Sequence, residues 1–169
     1  MRVSPLRSLE CSFLASITTG AVAPDFTASS TGPNPLSLSS LLATGPVILA
    51  FYPKSFTGGW TVELQTFGEL YSRFESAGIQ IVGISTDNYE TQVKFAESLN
   101  LTFALVADED KVVSGAYGTL NKLRRGSTRQ TFVIGQDGNI LYHNAKVDPS
   151  DMQEYTALLD IFEADTDGL

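Results

Sequence analysis

A thiol and an imidazole, two common catalytic groups of enzymes, each occur only once in this sequence of 169 residues. Cys11 is the only cysteine and His143 the only histidine. A single thiol excludes an intramolecular disulfide, and it excludes zinc or iron–sulfur sites built from several cysteines of one chain. No Ser-His-Asp or Cys-His combination with a specific spacing is present. We therefore predict no metal and no other cofactor, and thiol chemistry could use only Cys11 or a sulfur supplied by a partner.

Charge is distributed unevenly along the chain. Lys and Arg number 11 against 19 Asp and Glu, which gives a formal net charge of -8. Residues 148–169 hold seven of the acids and no Lys or Arg, so the rest of the chain is nearly neutral. An overall negative field repels phosphate backbones, and we predict no nucleic-acid binding. No apolar run approaches the roughly 20 residues that span a bilayer, so we expect a soluble or peripheral protein with no transmembrane segment.

Hydrophobic periodicity predicts strands that alternate with helices. A continuous apolar run predicts a strand over 46–52 that is covered on both faces, and further strands are predicted over 79–84 and 101–106. A first helical stripe, ending near Gly78, is formed by Trp60, Leu64, Phe67, Tyr71 and Phe74. A second helix, with a capping box of Asp87 and Glu90, carries Val93, Ala96 and Leu99. A short helix is predicted over 108–117.

The C-terminal third has a different pattern. Asp137-Gly138 lies between strand-like runs at 130–134 and 140–143, which predicts an antiparallel hairpin. Ser150 and Gln153 resemble a capping box for a last helix, whose apolar stripe is Met152, Tyr155, Leu158, Leu159 and Phe162. Strand–helix alternation followed by a hairpin and a helix predicts an α/β sandwich with a mixed sheet.

Several segments together resemble one protein family, the peroxiredoxins, and specifically the peroxiredoxin Q or bacterioferritin-comigratory-protein branch. These segments are Gly20-Ala-Val-Ala-Pro-Asp-Phe26, Phe51-Tyr-Pro-Lys54 with Thr57, Val82-Gly-Ile-Ser85, and Arg129-Gln-Thr-Phe132 leading to Asp137-Gly138. The resemblance runs without interruption from about residue 20 to residue 159. It implies a thioredoxin-like fold with a mixed central sheet flanked by helices.

The residues that carry chemistry in this family are only partly present. There, a Pro-x-x-x-Thr-x-x-Cys motif places a peroxidatic cysteine in the first turn of a helix, where the amides and a nearby guanidinium favour the thiolate. Pro53 and Thr57 match this motif, and Arg129 matches the arginine of the opposing strand. Trp60 stands at the position of the cysteine, and Gln65 at that of the resolving cysteine. Because indole offers no deprotonated nucleophile at neutral pH, the resemblance predicts a degenerate site and a chain that is not an enzyme.

Two interpretations are open for each part of this site. Trp60 heads the apolar stripe of its helix, which favours packing in the core, whereas its residue type also suits an aromatic anchor for a partner. Pro53, Thr57 and Arg129 are either structural relics or the remains of a site for a small anion.

A cluster of bases lies immediately before Arg129. Lys122, Arg124 and Arg125 share the loop 121–129 with it, so this loop holds four of the eleven bases. The loop either faces water, as charge runs usually do, or docks an acidic protein partner or a lipid head group.

The sequence predicts three parts: an N-terminal extension over 1–19, a peroxiredoxin-like domain over 20–163 and an acidic tail over 164–169. The extension is a targeting remnant, a docking arm, a flexible extension or a misassigned start. The leading hypothesis is an inactive accessory subunit of a larger protein complex inside the cell, with a plastid thylakoid as the host that the resemblance permits. The alternative is a residual thiol-dependent peroxidase or antioxidant oxidoreductase that uses Cys11 or a partner's thiol.

Overall fold

The computed structural model describes residues 17–56, 58–148 and 150–166, without the side chains of 58–60 and 163–166. Strands and helices alternate along most of this length. The elements are β1 (Thr27–Ala28), β2 (Leu36–Ser37), α1 (Leu38–Leu42), β3 (Val47–Phe51), α2 (Gly58–Ser76), β4 (Gln80–Ser85), α3 (Tyr89–Ser98), β5 (Leu105–Ala107), α4 (Val112–Ala116), β6 (Gln130–Ile134), β7 (Ile140–Asn144) and α5 (Met152–Thr166). None of the helices in the described ranges is long and apolar enough to cross a bilayer.

The central sheet has five strands in the order β5-β4-β3-β6-β7. Strand β3 pairs in parallel with β4 and antiparallel with β6, and β6 and β7 form an antiparallel hairpin. The predicted α/β fold with a mixed sheet is therefore confirmed. A separate antiparallel pair, β1 and β2, lies outside this sheet.

Strand β3 is buried on both faces, as its unbroken apolar sequence predicts. Because side chains alternate along a strand, its residues divide between two cores. Ile48 and Ala50 join the core that contains side chains of α2, α3 and α5. Val47, Leu49 and Phe51 join the core that contains side chains of α1 and α4. Helices thus cover both faces of the sheet, and β3 lies at its centre.

Helix α2 follows the predicted stripe. Leu64, Phe67 and Phe74 are fully buried, and Tyr71 packs half-buried against them. The helix ends at Ser76, two residues before Gly78, whose φ of 75° suits a residue without a Cβ. The stripe of α5 is confirmed less completely, because Tyr155 is buried whereas Met152 is 47% exposed.

Two predicted capping boxes are wrong. The N-cap of α3 is Asn88, whose side chain accepts a hydrogen bond from the amide of Thr91 at 2.9 Å. Asp87 lies one residue outside the helix and makes longer-range contacts instead. At the start of α5, the amide of Gln153 donates to the carboxylate of Asp151, and not to Ser150. In both cases a neighbouring Asx side chain takes the capping role.

The strand predicted over 101–106 and the helix predicted over 108–117 are both shorter in the structure. Strand β5 covers only Leu105–Ala107, and α4 only Val112–Ala116. Asp108 explains the late start of α4, since its buried carboxylate accepts hydrogen bonds from the amides of Val113 (3.0 Å) and Ser114 (2.7 Å). These bonds satisfy amides that have no partner within the helix.

Candidate functional site

The segment that follows β3 is held in place by a buried polar network around Gln92 of α3. The side-chain carbonyl of Gln92 accepts hydrogen bonds from the hydroxyls of Tyr52 and Ser55, the latter at 3.1 Å. Its amide group donates to Ser85 (2.9 Å) and to the carbonyl of Val106 (2.8 Å). Gln92 therefore connects this segment to the ends of β4 and β5.

Asp87 adds a second connection to the same segment. Its carboxylate accepts hydrogen bonds from the amide of Ser55 at 2.6 Å and from the hydroxyl of Ser85 at 3.0 Å. Burial raises the pKa of the Tyr52 hydroxyl, which keeps this hydroxyl a donor at neutral pH. Neither Asp87 nor Gln92 was predicted to have this role, because the sequence separates them from Ser55 by more than thirty residues.

Strand pairing brings Pro53 and Arg129 to the same end of the sheet. Phe51 of β3 is registered with Gln130 of β6. Pro53 comes two residues after Phe51, and Arg129 immediately precedes Gln130. Both residues therefore lie at the end of the sheet where β3 ends and β6 begins. The two matching residues are thus neighbours in the fold although 76 positions separate them in the chain.

Arg129 lies beside a buried carboxyl group that the sequence analysis did not single out. Glu63 of α2 is 1% exposed, and one of its carboxyl oxygens lies 3.9 Å from Nε of Arg129. This distance is too long for a hydrogen bond, and among the described residues neither oxygen of Glu63 has a hydrogen-bond partner. Burial raises the pKa of Glu63 to about 8, and the nearby Arg129 charge only partly opposes that effect. Glu63 is therefore largely protonated at neutral pH.

Tyr155 of α5 completes this polar cluster. Its hydroxyl is buried and has no hydrogen-bond partner within the ranges that the structure describes. Burial raises the pKa of Tyr155, and the charge of Glu63 adds to the increase. Glu63, Arg129 and Tyr155 together form a polar cluster with two neutral acids next to one guanidinium. Such a cluster can stabilise a developing negative charge and can supply a proton.

A signal for Glu63 was available in the sequence. It lies three residues after Trp60, so positions 60 and 63 share one face of a helix. An acid next to Leu64, on the face that otherwise enters the core, is unusual enough to mark a functional residue. Tyr155 was predicted to be a core residue, and its hydroxyl was overlooked.

The other predicted site residues are placed differently. Thr57 lies outside the described residues, as do the side chain of Trp60 and the whole of Cys11. The backbone of Trp60 belongs to the first turn of α2, one turn before Glu63. Gln65 is exposed on α2 and points away from the core. It therefore does not join the polar cluster.

The bases of the loop also remain apart from this cluster. Lys122, Arg124 and Arg125 are all exposed. Their loop nevertheless packs against the site, because a Cβ at Gly126 would lie 3.3 Å from the carbonyl oxygen of Pro53. The loop thus forms part of the rim of the candidate site.

His143, the only histidine of the sequence, packs within the hairpin of β6 and β7. His143 stacks on Phe132 with a centroid distance of 4.2 Å, and its Nε2 lies 2.8 Å from the side-chain oxygen of Gln130. Partial burial lowers the pKa of His143. These contacts pack β7 against β6, and neither Phe132 nor Gln130 is a nucleophile that His143 could activate.

We predict that Trp60→Ala destabilises the protein. If the indole packs in the core, its removal should lower the free energy of unfolding by about 3 to 5 kcal/mol. Urea unfolding of this variant, with the exposed Gln65→Ala on the same helix as a control, measures the effect. Equal stability of both variants would support the alternative, an indole that anchors a partner.

Three comparisons place this site in a family. The AhpC/TSA family model matches residues 19–143. The chain belongs to the AhpC/TSA family. Peroxiredoxin Q from the chloroplast of Sedum lineare is 34% identical over 144 residues, which are 83% of this chain and 76% of the relative. The predicted membership of the peroxiredoxin Q and bacterioferritin-comigratory-protein branch is confirmed.

Solved structures of other members agree with this AhpC/TSA fold. Peroxidoxin BcpB from Mycobacterium tuberculosis is 32% identical, with a TM-score of 0.78, covering 87% of this chain and 97% of that one. The bacterioferritin comigratory protein of Xanthomonas campestris is 26% identical, with a TM-score of 0.74, covering 82% and 90%. The latter was solved in a study of its alkyl peroxide reduction activity.

These relatives contradict one prediction from the sequence. We predicted that the chain is not an enzyme, whereas its relatives include the chloroplastic peroxiredoxin Q of Sedum lineare and a bacterioferritin comigratory protein solved in a study of alkyl peroxide reduction. The prediction gave decisive weight to Trp60. A missing sulfur at position 60 removes one location for the attacking atom, but the chain still contains the thiol of Cys11. Loss of activity does not follow from one position.

Proposed function

We propose that this protein takes part in thiol-dependent peroxide reduction, with the attacking sulfur supplied by Cys11 or by a partner's thiol. The observation that carries the proposal is the cluster of Glu63 and Arg129, held 3.9 Å apart at the sheet edge where Pro53 also lies. Membership of the peroxiredoxin Q branch supports it. The names of the relatives supply the substrate class, which is peroxides.

The proposed reaction needs two thiols for each peroxide. A thiolate attacks one peroxide oxygen, the O–O bond breaks, and the sulfur becomes a sulfenic acid. The second oxygen leaves with the bonding electron pair and takes up a proton to become an alcohol or water. A second thiol then attacks the sulfenic sulfur, which gives a disulfide and water. The peroxide gains the two electrons that the thiols lose.

The residues of the cluster have definite roles in this scheme. The guanidinium of Arg129 stabilises the negative charge that develops on the leaving oxygen. Glu63 is one carboxyl group that can supply the proton, since its pKa of about 8 keeps it protonated at neutral pH. The network of Gln92 and Asp87 positions the segment that carries Pro53.

The proposal includes a protein partner and a plastid location. A partner that brings its own thiol would replace the sulfur missing from position 60, and the exposed loop of Lys122, Arg124 and Arg125 offers it a charged contact. The similarity to a chloroplastic peroxiredoxin Q supports the plastid. Imaging the full chain fused to a fluorescent protein tests this location, and a signal confined to another compartment contradicts it.

Peroxide consumption by the purified chain tests the function. We expect wild-type protein with dithiothreitol or thioredoxin to consume an alkyl hydroperoxide faster than the reductant alone. Cys11→Ser should abolish the excess rate if Cys11 is the nucleophile. If the rate survives in that variant but disappears in Arg129→Met, an external thiol reacts at the site. A wild-type rate equal to that of the reductant alone would refute the proposal.

A further inference from the structure

The loop of residues 121–126, here called the basic loop, has a geometry that its own hydrogen bonds maintain. The amide of Asn121 donates to the carbonyl of Gly126 at 2.9 Å, and its side chain accepts from the amide of Arg125 at 3.0 Å. The amide of Arg124 donates to the carbonyl of Asn121 at 2.8 Å. A loop that is ordered before binding loses little conformational entropy when it binds.

The basic loop presents its binding groups to the outside. Leu123 is 71% exposed, an unusual degree for a large apolar side chain. Lys122, Arg124 and Arg125 surround it, and none of these three makes an ion pair with the part of the chain that the structure describes. The loop therefore displays one apolar side chain within a group of unpaired positive charges.

A groove of complementary character lies along α5, here called the acidic groove. It has a volume of about 380 Å³ and lies between α5 and Tyr142 of β7. Ala157, Leu158 and Ile161 form its apolar part, and the carboxylates of Asp151 and Glu154 lie at one end. None of the residues that line the groove is a Lys or Arg, so the end with Asp151 and Glu154 attracts cations.

Both surfaces lie near the same end of the molecule. The basic loop leads directly into Arg129, and the charges of Arg129 and of Glu154 in the acidic groove both act on the carboxyl of Glu63. Within one chain, however, the loop makes no ion pair with the groove. Two complementary surfaces at one end of a molecule suit an exchange between two copies related by a two-fold axis.

We propose that the basic loop of one copy docks in the acidic groove of a second copy, with Leu123 in its apolar part and Arg124 and Arg125 facing Asp151 and Glu154. In a symmetric dimer each copy supplies one loop and one groove. The dimer also covers the rim of the candidate site, because Gly126 packs against Pro53. This inference does not depend on the proposed peroxide chemistry.

Sedimentation velocity of the full chain tests the proposal. We expect a dimer at about 100 μM protein and low salt that dissociates as salt is added. The double variant Arg124→Glu with Arg125→Glu should weaken the dimer at least tenfold. Ala157→Arg, which puts a positive charge in the acidic groove at an exposed helical position, should weaken it similarly.

A mixture of the two variants gives the decisive result. In a mixed dimer one loop and one groove keep their wild-type residues and can dock normally. The other loop carries glutamates and meets a groove to which an arginine has been added, so the mixture should dimerise more tightly than either variant alone. Arg73→Glu with Lys94→Glu changes the net charge equally at distant exposed positions and should leave the dimer intact. A monomeric wild type, a dimer insensitive to these variants, or a mixture that stays monomeric would overturn the proposal.

Discussion

Glu63→Gln is expected to stabilise the protein strongly at neutral and alkaline pH. The folded state keeps Glu63 protonated up to a pKa of about 8, whereas the unfolded chain releases this proton near 4.5. The folded protein therefore binds more protons between these values, and its stability falls as the pH rises from 4.5 to 8. Each pKa unit corresponds to about 1.4 kcal/mol, which gives a loss on the order of 3 to 5 kcal/mol.

Glutamine has a similar shape and no charge to bury, so the variant should lack this pH dependence. Urea unfolding of both proteins at pH 5, 7 and 9 measures it: the two free energies should nearly agree at pH 5 and diverge as the pH rises. Glu69→Gln removes an exposed carboxylate from the same helix and serves as the control. Parallel pH profiles for wild type and Glu63→Gln would show that Glu63 ionises freely in the folded state.

Trp60→Cys is expected to increase peroxide consumption by a factor on the order of 100. The substitution places a thiol in the first turn of α2, one turn before Glu63 and close to the edge where Arg129 lies. The helix amides and the guanidinium favour its thiolate form, and the thiolate is the attacking species. The measurement uses the Cys11→Ser background, so that the new cysteine carries the only thiol in the chain.

Gln65→Cys in the same background is a matched control, because it adds an exposed thiol to the same helix away from the cluster. Trapping with dimedone and mass spectrometry should detect sulfenic acid at position 60 in the first variant. If the two cysteines react with peroxide at the same rate, the cluster of Glu63 and Arg129 gives no assistance to a sulfur at position 60.

The sequence by itself determined the elements and the family. The continuous apolar run of β3 predicted a strand buried on both faces, and Asp137-Gly138 predicted the hairpin of β6 and β7. These features depend on side-chain periodicity and turn chemistry, which act over a few residues and are visible locally. The matching positions Pro53 and Arg129 were likewise recognisable by type and order along the chain.

The tertiary structure determines which of these residues lie close together and which carboxyl groups are buried away from solvent. The register of Phe51 with Gln130 brings Pro53 and Arg129 to the same end of the sheet, and no local pattern specifies that register. The pKa of Glu63 depends on its burial and on the charges of Arg129 and Glu154, which lie far away in the sequence. Desolvation and charge proximity are properties of three-dimensional packing, and for that reason the polar cluster became visible only in the folded chain.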